Sequence, residues 1–453
     1  MKKLFFLISA LVISASLMAE DHVMAATRGS QKSAEEAAPK LLSLSLKEAQ
    51  DYAVSSNRTL KNASLAVQEA YAQRWQTIAS MLPSADASYA YSDYFGYTSI
   101  LSMKNPFTGE QMETPISMPN VGAFTVTAAV GINGQAIVGA LLNNVAIEMK
   151  KIALEKSESE LRSSITSSYV SVLALRSISN LLDSSLNNIE NLERMTQDAV
   201  NVGTAEQTAA DQIHVRVNTL KNSINVQKRN IELATNSLKV LLDVPVETEL
   251  VLTESLDEVL SPERVLNLLS QNFAVENNLN YQLLSKQVEL AKRNVHMAGW
   301  AYGPTVALAY NYTNQQYYGE GGMRMTPPNV VQVSVKMPLW SSGKRAAGVV
   351  EKKIALEEAK NTLSETTDNL SIQYRQLCFN LTNAYETYIN EKENIEVTQR
   401  VFHSTTEKYK WGAASNLELT NASNDLINAQ STYVQAMLSL VNAQAELEEF
   451  LNN

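Results

Sequence analysis

An internal duplication is the feature that most limits what this chain can fold into. Residues 150–155, Lys-Lys-Ile-Ala-Leu-Glu, recur unchanged at 352–357. Further corresponding positions flank the two hexapeptides: Pro83 and Pro304, Tyr89 and Tyr310, Tyr91 and Tyr312, Gly203 and Gly412. The sequence therefore predicts two copies of one structural unit, at 44–243 and 260–453.

The hydrophobic period changes in the same order within each copy. A helical stretch comes first, and beyond Pro83 or Pro304 apolar residues alternate with small or polar ones, which is typical of strands with one apolar face. The alternation predicts two strands per copy, near 84–96 and 120–132, and near 304–314 and 329–340. Strands of this length, with aromatic residues at their ends, suit the wall of a lipid-facing barrel.

A long helix and a return helix complete each copy. The runs 140–201 and 345–410 contain no proline, and at 1.5 Å per residue each can reach roughly 90–100 Å. The return helices, 205–243 and 415–451, carry apolar and small residues at heptad spacing, which predicts a coiled-coil seam. A linker is expected at 244–259.

The first residues are typical of a secretory signal. Lys2 and Lys3 precede an apolar run that ends before Ala19, so residues 1–19 are predicted to be cleaved and 20–43 to form a polar leader. No other stretch approaches the roughly 18 consecutive apolar residues of a transmembrane helix. These features predict a periplasmic, secreted or outer-membrane protein.

Composition excludes several classes of function. The net charge of −10 disfavours a nucleic-acid partner, and the single cysteine excludes a disulfide framework or a four-thiolate zinc site. The four histidines have no second histidine at metal-ligand spacing, and no nucleophile elbow or phosphate-binding loop is present. We therefore expect no enzyme activity, no catalytic residues, no cofactor and no metal.

Four strands cannot close a barrel, for which eight is the practical minimum, and an open sheet in lipid would leave backbone groups unpaired. If these strands lie in a membrane, several chains must share one wall.

The duplicated order and two local motifs resemble the TolC-like outer-membrane efflux proteins, also called outer membrane factors. The motifs are Met-Pro-Leu-Trp-Ser-Ser-Gly-Lys at 337–344 and Tyr-Lys-Trp-Gly at 409–412. The resemblance implies a mainly α fold with a transmembrane β-barrel part. Long coiled helices would form an α-barrel, and four strands per chain would contribute to a 12-stranded barrel in a homotrimer.

The resemblance also implies a passive exit duct in outer-membrane lipid, with a long periplasmic extension. Its partners would be a periplasmic adaptor (membrane fusion) protein and an inner-membrane pump or ABC exporter, in an efflux or type I secretion system. A polar lumen is compatible with drugs, metal ions or secreted proteins as cargo. The alternative is a secreted or periplasmic coiled-coil stalk or adaptor without a pore.

The resemblance implies that the helix-turn tips at Gly203 and Gly412 form the periplasmic mouth of the duct. The acidic positions that ring this entrance in the family correspond to Glu418, which keeps the carboxylate, and to Asn421, which does not. Glu418 can equally be an ordinary solvated acid on a helix surface.

Tyr409 matches a tyrosine that helps to hold the family's entrance shut. Its acidic and basic partner positions are occupied by Ala209 and Ala414, so a polar latch of that kind is not expected here.

Overall fold

The computed structural model describes residues 41–104, 107, 109, 111–256, 262–318 and 327–452. The predicted signal segment, 1–19, lies outside these residues, as does most of the predicted leader.

The first copy, together with the short strands that precede and follow it, has helices on either side of two strand pairs. Its elements are β1 (Leu41–Leu44), α1 (Leu46–Ser56), α2 (Arg58–Ala79), β2 (Ser84–Ser92), β3 (Thr98–Lys104), β4 (Gln111–Ser117), β5 (Asn120–Asn133), α3 (Gly134–Asn201), α4 (Gln207–Leu241) and β6 (Glu249–Leu252). Helix α3 is 68 residues long and spans about 100 Å.

The second copy repeats the order. Its elements are α5 (Pro262–Ser270), α6 (Leu279–Gly299), β7 (Thr305–Tyr318), β8 (Asn329–Lys336), α7 (Lys344–Lys410) and α8 (Asn416–Asn452), with short 3₁₀ turns at Val275–Asn277 and Trp300–Tyr302. The fold is mainly helical and duplicated, and the long helix again precedes a shorter return helix.

Strands from both copies form one antiparallel sheet in the order β2-β5-β7-β8. The central pair, β5 and β7, runs in register from Asn120 opposite Tyr318 to Asn133 opposite Thr305. Strands β2 and β8 are the edges of this sheet, and both are exposed along their whole length.

The two faces of the sheet differ in polarity. One face presents apolar residues: Ala87, Tyr89, Phe124, Val126, Leu308, Tyr310, Val331 and Val333. On the other face, Thr127 donates a hydrogen bond to Asn311 Oδ1 at 2.8 Å, and the Thr125 and Thr313 hydroxyls lie 3.4 Å apart. This sheet is amphipathic from edge to edge.

The segment between the first two strands differs from the prediction. The predicted strand 84–96 ends at Ser92, since Phe95 and Gly96 adopt left-handed backbone conformations with φ of 51° and 72°. The segment between the two predicted strands contains a separate hairpin, in which β3 pairs with β4. The sequence did not predict this hairpin because Pro115 interrupts the weak alternation of apolar and polar residues in the segment.

The predicted leader and linker also contribute regular structure. Strand β1, in the last residues of the predicted leader, pairs in parallel with β6, in the predicted linker. The buried Tyr169 of α3 donates its hydroxyl to the Leu44 carbonyl at 3.0 Å, which fastens this small sheet to the long helix.

The long helices form a layer in the order α4-α3-α8-α7. Heptad positions of α4 and α8 are buried in it, among them Ile213, Val217, Leu220, Leu426, Leu440 and Leu447. One apolar cluster lies around Tyr169 and a second lies near the far tips around Leu192 and Leu419. Ser185 and Gln430 hydrogen-bond each other where α3 meets α8.

Within the described ranges, no helix has both the length and the apolar character that a membrane span requires.

Candidate functional site

Both long helices end in the same tight turn. After α3, Gly203 has φ of +77°, its N–H donates to the Val200 carbonyl at 2.9 Å, and the Thr204 N–H donates to the Ala199 carbonyl at 2.8 Å. These paired hydrogen bonds define a Schellman motif, which needs a left-handed residue and therefore favours glycine.

The second copy repeats this geometry at Gly412, whose φ is +68°. The Gly412 N–H donates to the Tyr409 carbonyl at 3.0 Å, and the Ala413 N–H donates to the Lys408 carbonyl at 2.8 Å. The predicted helix-turn tips, Gly203 and Gly412, are thus both chain reversals at the far end of the helical layer from the sheet.

Glu418 lies at the start of α8 and takes part in a capping box. The Ser415 N–H and hydroxyl donate to Glu418 Oε2 at 2.7 and 3.0 Å, and the Glu418 N–H donates to Ser415 Oγ at 3.2 Å. These contacts, led by the Ser415 backbone N–H, lower the pKa of the exposed Glu418 carboxyl. The side chain is therefore ionised and held in one orientation.

Asn421 is exposed on α8, three residues beyond Glu418 and therefore on a neighbouring part of the same helix face. The two positions that sequence comparison selected for the ring are thus adjacent on the surface of one chain.

Tyr409 is half-buried against the apolar cluster near the tips, around Leu192 and Leu419. It lines a cleft of about 770 Å³ between the two tips, together with Ala209, Ala414 and Thr208. Methyl groups occupy the positions where the family would place latch partners. No hydrogen bond to the Tyr409 hydroxyl is formed by any side chain in the described part of the chain.

Arg216 of α4 links the two hairpins near the tips and was not identified from the sequence. Its Nη1 donates to the Thr420 carbonyl of α8 at 3.2 Å, and burial lowers the pKa of the guanidinium. The contact lies two residues beyond Glu418, so it holds the start of α8 against the first hairpin. A lone arginine on a heptad helix carries no sequence signal for such a contact.

A second group of polar contacts, which was not identified from the sequence, joins α3 to α4 in the first hairpin. His214 Nδ1 lies 2.6 Å from Glu193 Oε1, and Asn218 Nδ2 lies 3.1 Å from His214 Nε2. Two turns beyond His214 on α4, Lys221 pairs with Glu190 of α3 at 2.8 Å. From the sequence alone, His214 is expected to be an ordinary histidine on a helix surface, because its pairing with Glu193 depends on the relative register of the two helices.

Among the described residues, no group of three or more histidine, cysteine, aspartate or glutamate side chains could hold a metal ion. What the site offers is an oriented carboxylate, two tight helix reversals and one cross-hairpin arginine.

Comparison with known proteins gives a family match in the second copy. Residues 272–453 match the family model described as outer membrane efflux protein. The outer membrane efflux protein BepC of Brucella suis biovar 1 (strain 1330) is 21% identical over 285 residues. That alignment spans 62% of this chain and 60% of the length of BepC.

Solved channel structures share the fold over most of the chain. CusC superposes with a TM-score of 0.73 at 15% identity, covering 92% of this chain and 95% of CusC. The Campylobacter jejuni CmeC outer membrane channel gives 0.68 at 16% identity, over 90% of this chain and 85% of CmeC. The open-state Neisseria gonorrhoeae MtrE outer membrane channel gives a TM-score of 0.67 at 14% identity, over 93% of this chain and 96% of MtrE.

The shared fold is that of channel proteins rather than enzymes. The family match covers the second copy, and the first copy repeats the same order of helices and strands, so the chain is similar in fold to outer membrane efflux proteins over most of its length.

Proposed function

We propose that this chain is one protomer of a homotrimeric duct in the outer membrane. The duct is the passive exit route of a tripartite efflux or type I secretion system. The family match over residues 272–453 supports the proposal, and so does the architecture of the single chain, which is open at both sides.

The observation that carries the proposal is a matched pair of open edges. In the sheet, β2 has nine residues and β8 has eight, and neither pairs on its outer side with another strand among the described residues. Backbone groups on such edges are free to pair with another chain. Three chains of four strands supply twelve strands, which is enough to close a wall in which every strand has two neighbours.

The helical layer is open in the same way. At one edge, α4 exposes Val226, Leu233 and Val240 at heptad spacing, and their exposed fractions are 48%, 65% and 69%. At the other edge, α7 exposes Ile372 and Phe379, at 66% and 64%. Apolar stripes of this kind are complementary, so α4 of one protomer is expected to pack against α7 of the next.

In a closed barrel, the two faces of the sheet would lie in different environments. The apolar face would contact lipid, and the hydrogen-bonded polar face would line a water-filled lumen. The tyrosines near the outer ends of the strands, among them Tyr91 and Tyr318, would lie at the membrane interface.

At the far end, the helix tips would form the periplasmic entrance and meet a periplasmic adaptor, which in turn contacts an inner-membrane pump or ABC exporter. Three-fold symmetry would gather three Glu418 carboxylates around the neck, with Asn421 beside each one. Like charges in a narrow aqueous neck attract cations, so the entrance is expected to favour cations. Tyr409 and Arg216 would support the closed packing of the tips.

The proposal is tested on protein purified in detergent. A native mass of three protomers, together with single-channel conductance in planar bilayers, is expected. A monomer that stays soluble without detergent and conducts no ions would contradict the duct and favour the coiled-coil stalk.

A further inference from the structure

The four-stranded sheet contains two charged side chains, and they lie on opposite edges. Asp86 is in β2, Lys336 ends β8, and the other residues of β2, β5, β7 and β8 are uncharged. Both side chains are exposed. Neither forms a hydrogen bond or ion pair with any residue that the structure describes.

Both charges belong to the polar face of the sheet. Asp86 is opposite Thr127, whose hydroxyl hydrogen-bonds Asn311 on the next strand. Lys336 is opposite Thr305, which lies an even number of residues from Asn311 along β7 and therefore shares its face. An acid and a base thus project from the same side of one sheet.

The two charges cannot meet within one chain. Three strand intervals separate β2 from β8, which is about 14 Å at the usual spacing of 4.8 Å. The two intervening strands, β5 and β7, pair with each other along their whole length. Another copy of the chain at the open edges can bring the two opposite charges together.

Strand directions permit that contact. Neighbouring strands alternate in direction across the sheet, so β8 of one copy would run antiparallel to β2 of the next, as all other neighbours do. A register with Asp86 opposite Lys336 also places Tyr89 opposite Val333 and Tyr91 opposite Val331 on the apolar face. A slip of one residue would move every side chain to the wrong face.

We propose that Asp86 of each protomer pairs with Lys336 of its neighbour, directly opposite or one diagonal position away, across each of three seams in the lumen wall. The inference rests on the trimeric duct proposed above. The pair selects the register of the seam and its partner strand. Two β2 edges would bring aspartates together, and two β8 edges would bring lysines together, so only the head-to-tail contact that closes a ring is favoured.

Charge reversal tests the pairing. Asp86→Lys and Lys336→Asp should each lower the ratio of trimer to monomer in mild detergent, by roughly tenfold, because each seam then holds two like charges. The double variant, which exchanges the charges, should return the ratio to within about twofold of the unmodified protein. No rescue in the double variant, or no loss in either single variant, would overturn the pairing.

Cross-linking gives a second measurement that does not depend on stability. In a Cys378→Ala background, Asp86→Cys with Lys336→Cys should yield covalent dimers and trimers with a bis-maleimide of about 8 Å span, the reach of a diagonal pair. Ala87→Cys with Lys336→Cys is the matched control on the opposite face and should give less than a tenth of that yield. Equal yields, or no product from the first pair, would overturn the inference.

The mass and conductance of the unmodified protein separate the two proposals. If it is a conducting trimer but the charge and cysteine variants fail as described, the seam pairing is wrong and the duct stands. If it is a non-conducting monomer, the duct itself is wrong.

Discussion

Replacing Gly412 by alanine should destabilise the second helix tip by about 1 kcal/mol. Its φ of +68° is left-handed, and a Cβ there would meet nothing within 4 Å, so the substitution introduces backbone strain without a clash. The left-handed conformation costs an ordinary residue about 1–2 kcal/mol. The lower entropy of the unfolded alanine chain offsets about 0.4–1 kcal/mol of that cost.

A matched substitution should have the opposite sign. Gly139 lies inside α3 with no positive φ, and a Cβ there would also meet nothing within 4 Å. Gly139→Ala should therefore stabilise its helix by roughly 0.5–1 kcal/mol, since glycine loses more conformational freedom in a helix than alanine does.

Amide hydrogen exchange of the detergent-solubilised protein measures both effects locally. In Gly412→Ala, the Ala413 N–H, which donates to the Lys408 carbonyl at 2.8 Å, should exchange about fivefold faster. The equivalent Thr204 N–H of the unaltered first tip is the internal reference. Unchanged or slower exchange at Ala413, or faster exchange around Gly139 in its variant, would refute the argument from backbone conformation.

Three further predictions concern the helix tips and the contact between the two helical hairpins of one chain. Glu418→Gln should weaken cation selectivity in bilayer recordings while preserving the capping box with Ser415, whereas Glu418→Ala should lose both. Because the pKa of Glu418 is lowered, the selectivity should persist at neutral pH and disappear as the pH falls through that lowered value, while the cap should only weaken, since a protonated carboxyl still accepts from the Ser415 N–H. Equal selectivity in Glu418→Gln and the unmodified protein would remove this carboxylate from the entrance. Arg216→Ala should free the start of α8 and increase single-channel conductance, and an unchanged conductance would show that the contact does not hold the tips. Ser185→Ala should cost about 1–3 kcal/mol in chemical denaturation because Gln430 loses a buried partner, and a loss below about 0.5 kcal/mol would contradict this.

The local periodicity of the sequence determines most of the secondary structure of this protein. The duplicated hexapeptide, the long proline-free runs and the period-two strands indicate the mainly helical, duplicated fold, because contacts between residues close in sequence form these elements. The tip glycines are recognisable for the same reason, since a helix reversal needs a left-handed residue at one position. The capping role of Glu418 can also be predicted from the sequence, because Ser415 and Glu418 have the spacing of a capping box.

Other features depend on contacts between distant residues, for which the sequence contains no local signal. The pairing of β1 with β6 joins the predicted leader to the predicted linker. The hydrogen bond from Arg216 goes to the Thr420 carbonyl in the other helical hairpin. The β3–β4 hairpin follows two left-handed residues whose conformation the pattern did not indicate.

The significance of Asp86 and Lys336 depends most completely on tertiary structure. In the sequence they are an ordinary acid and an ordinary base in different copies. They become complementary only because the strand order β2-β5-β7-β8 places them on the two open edges, with their side chains on one face. Hydrophobic period determines which face of a strand is polar, but packing of the whole chain determines which strands are left without a neighbour.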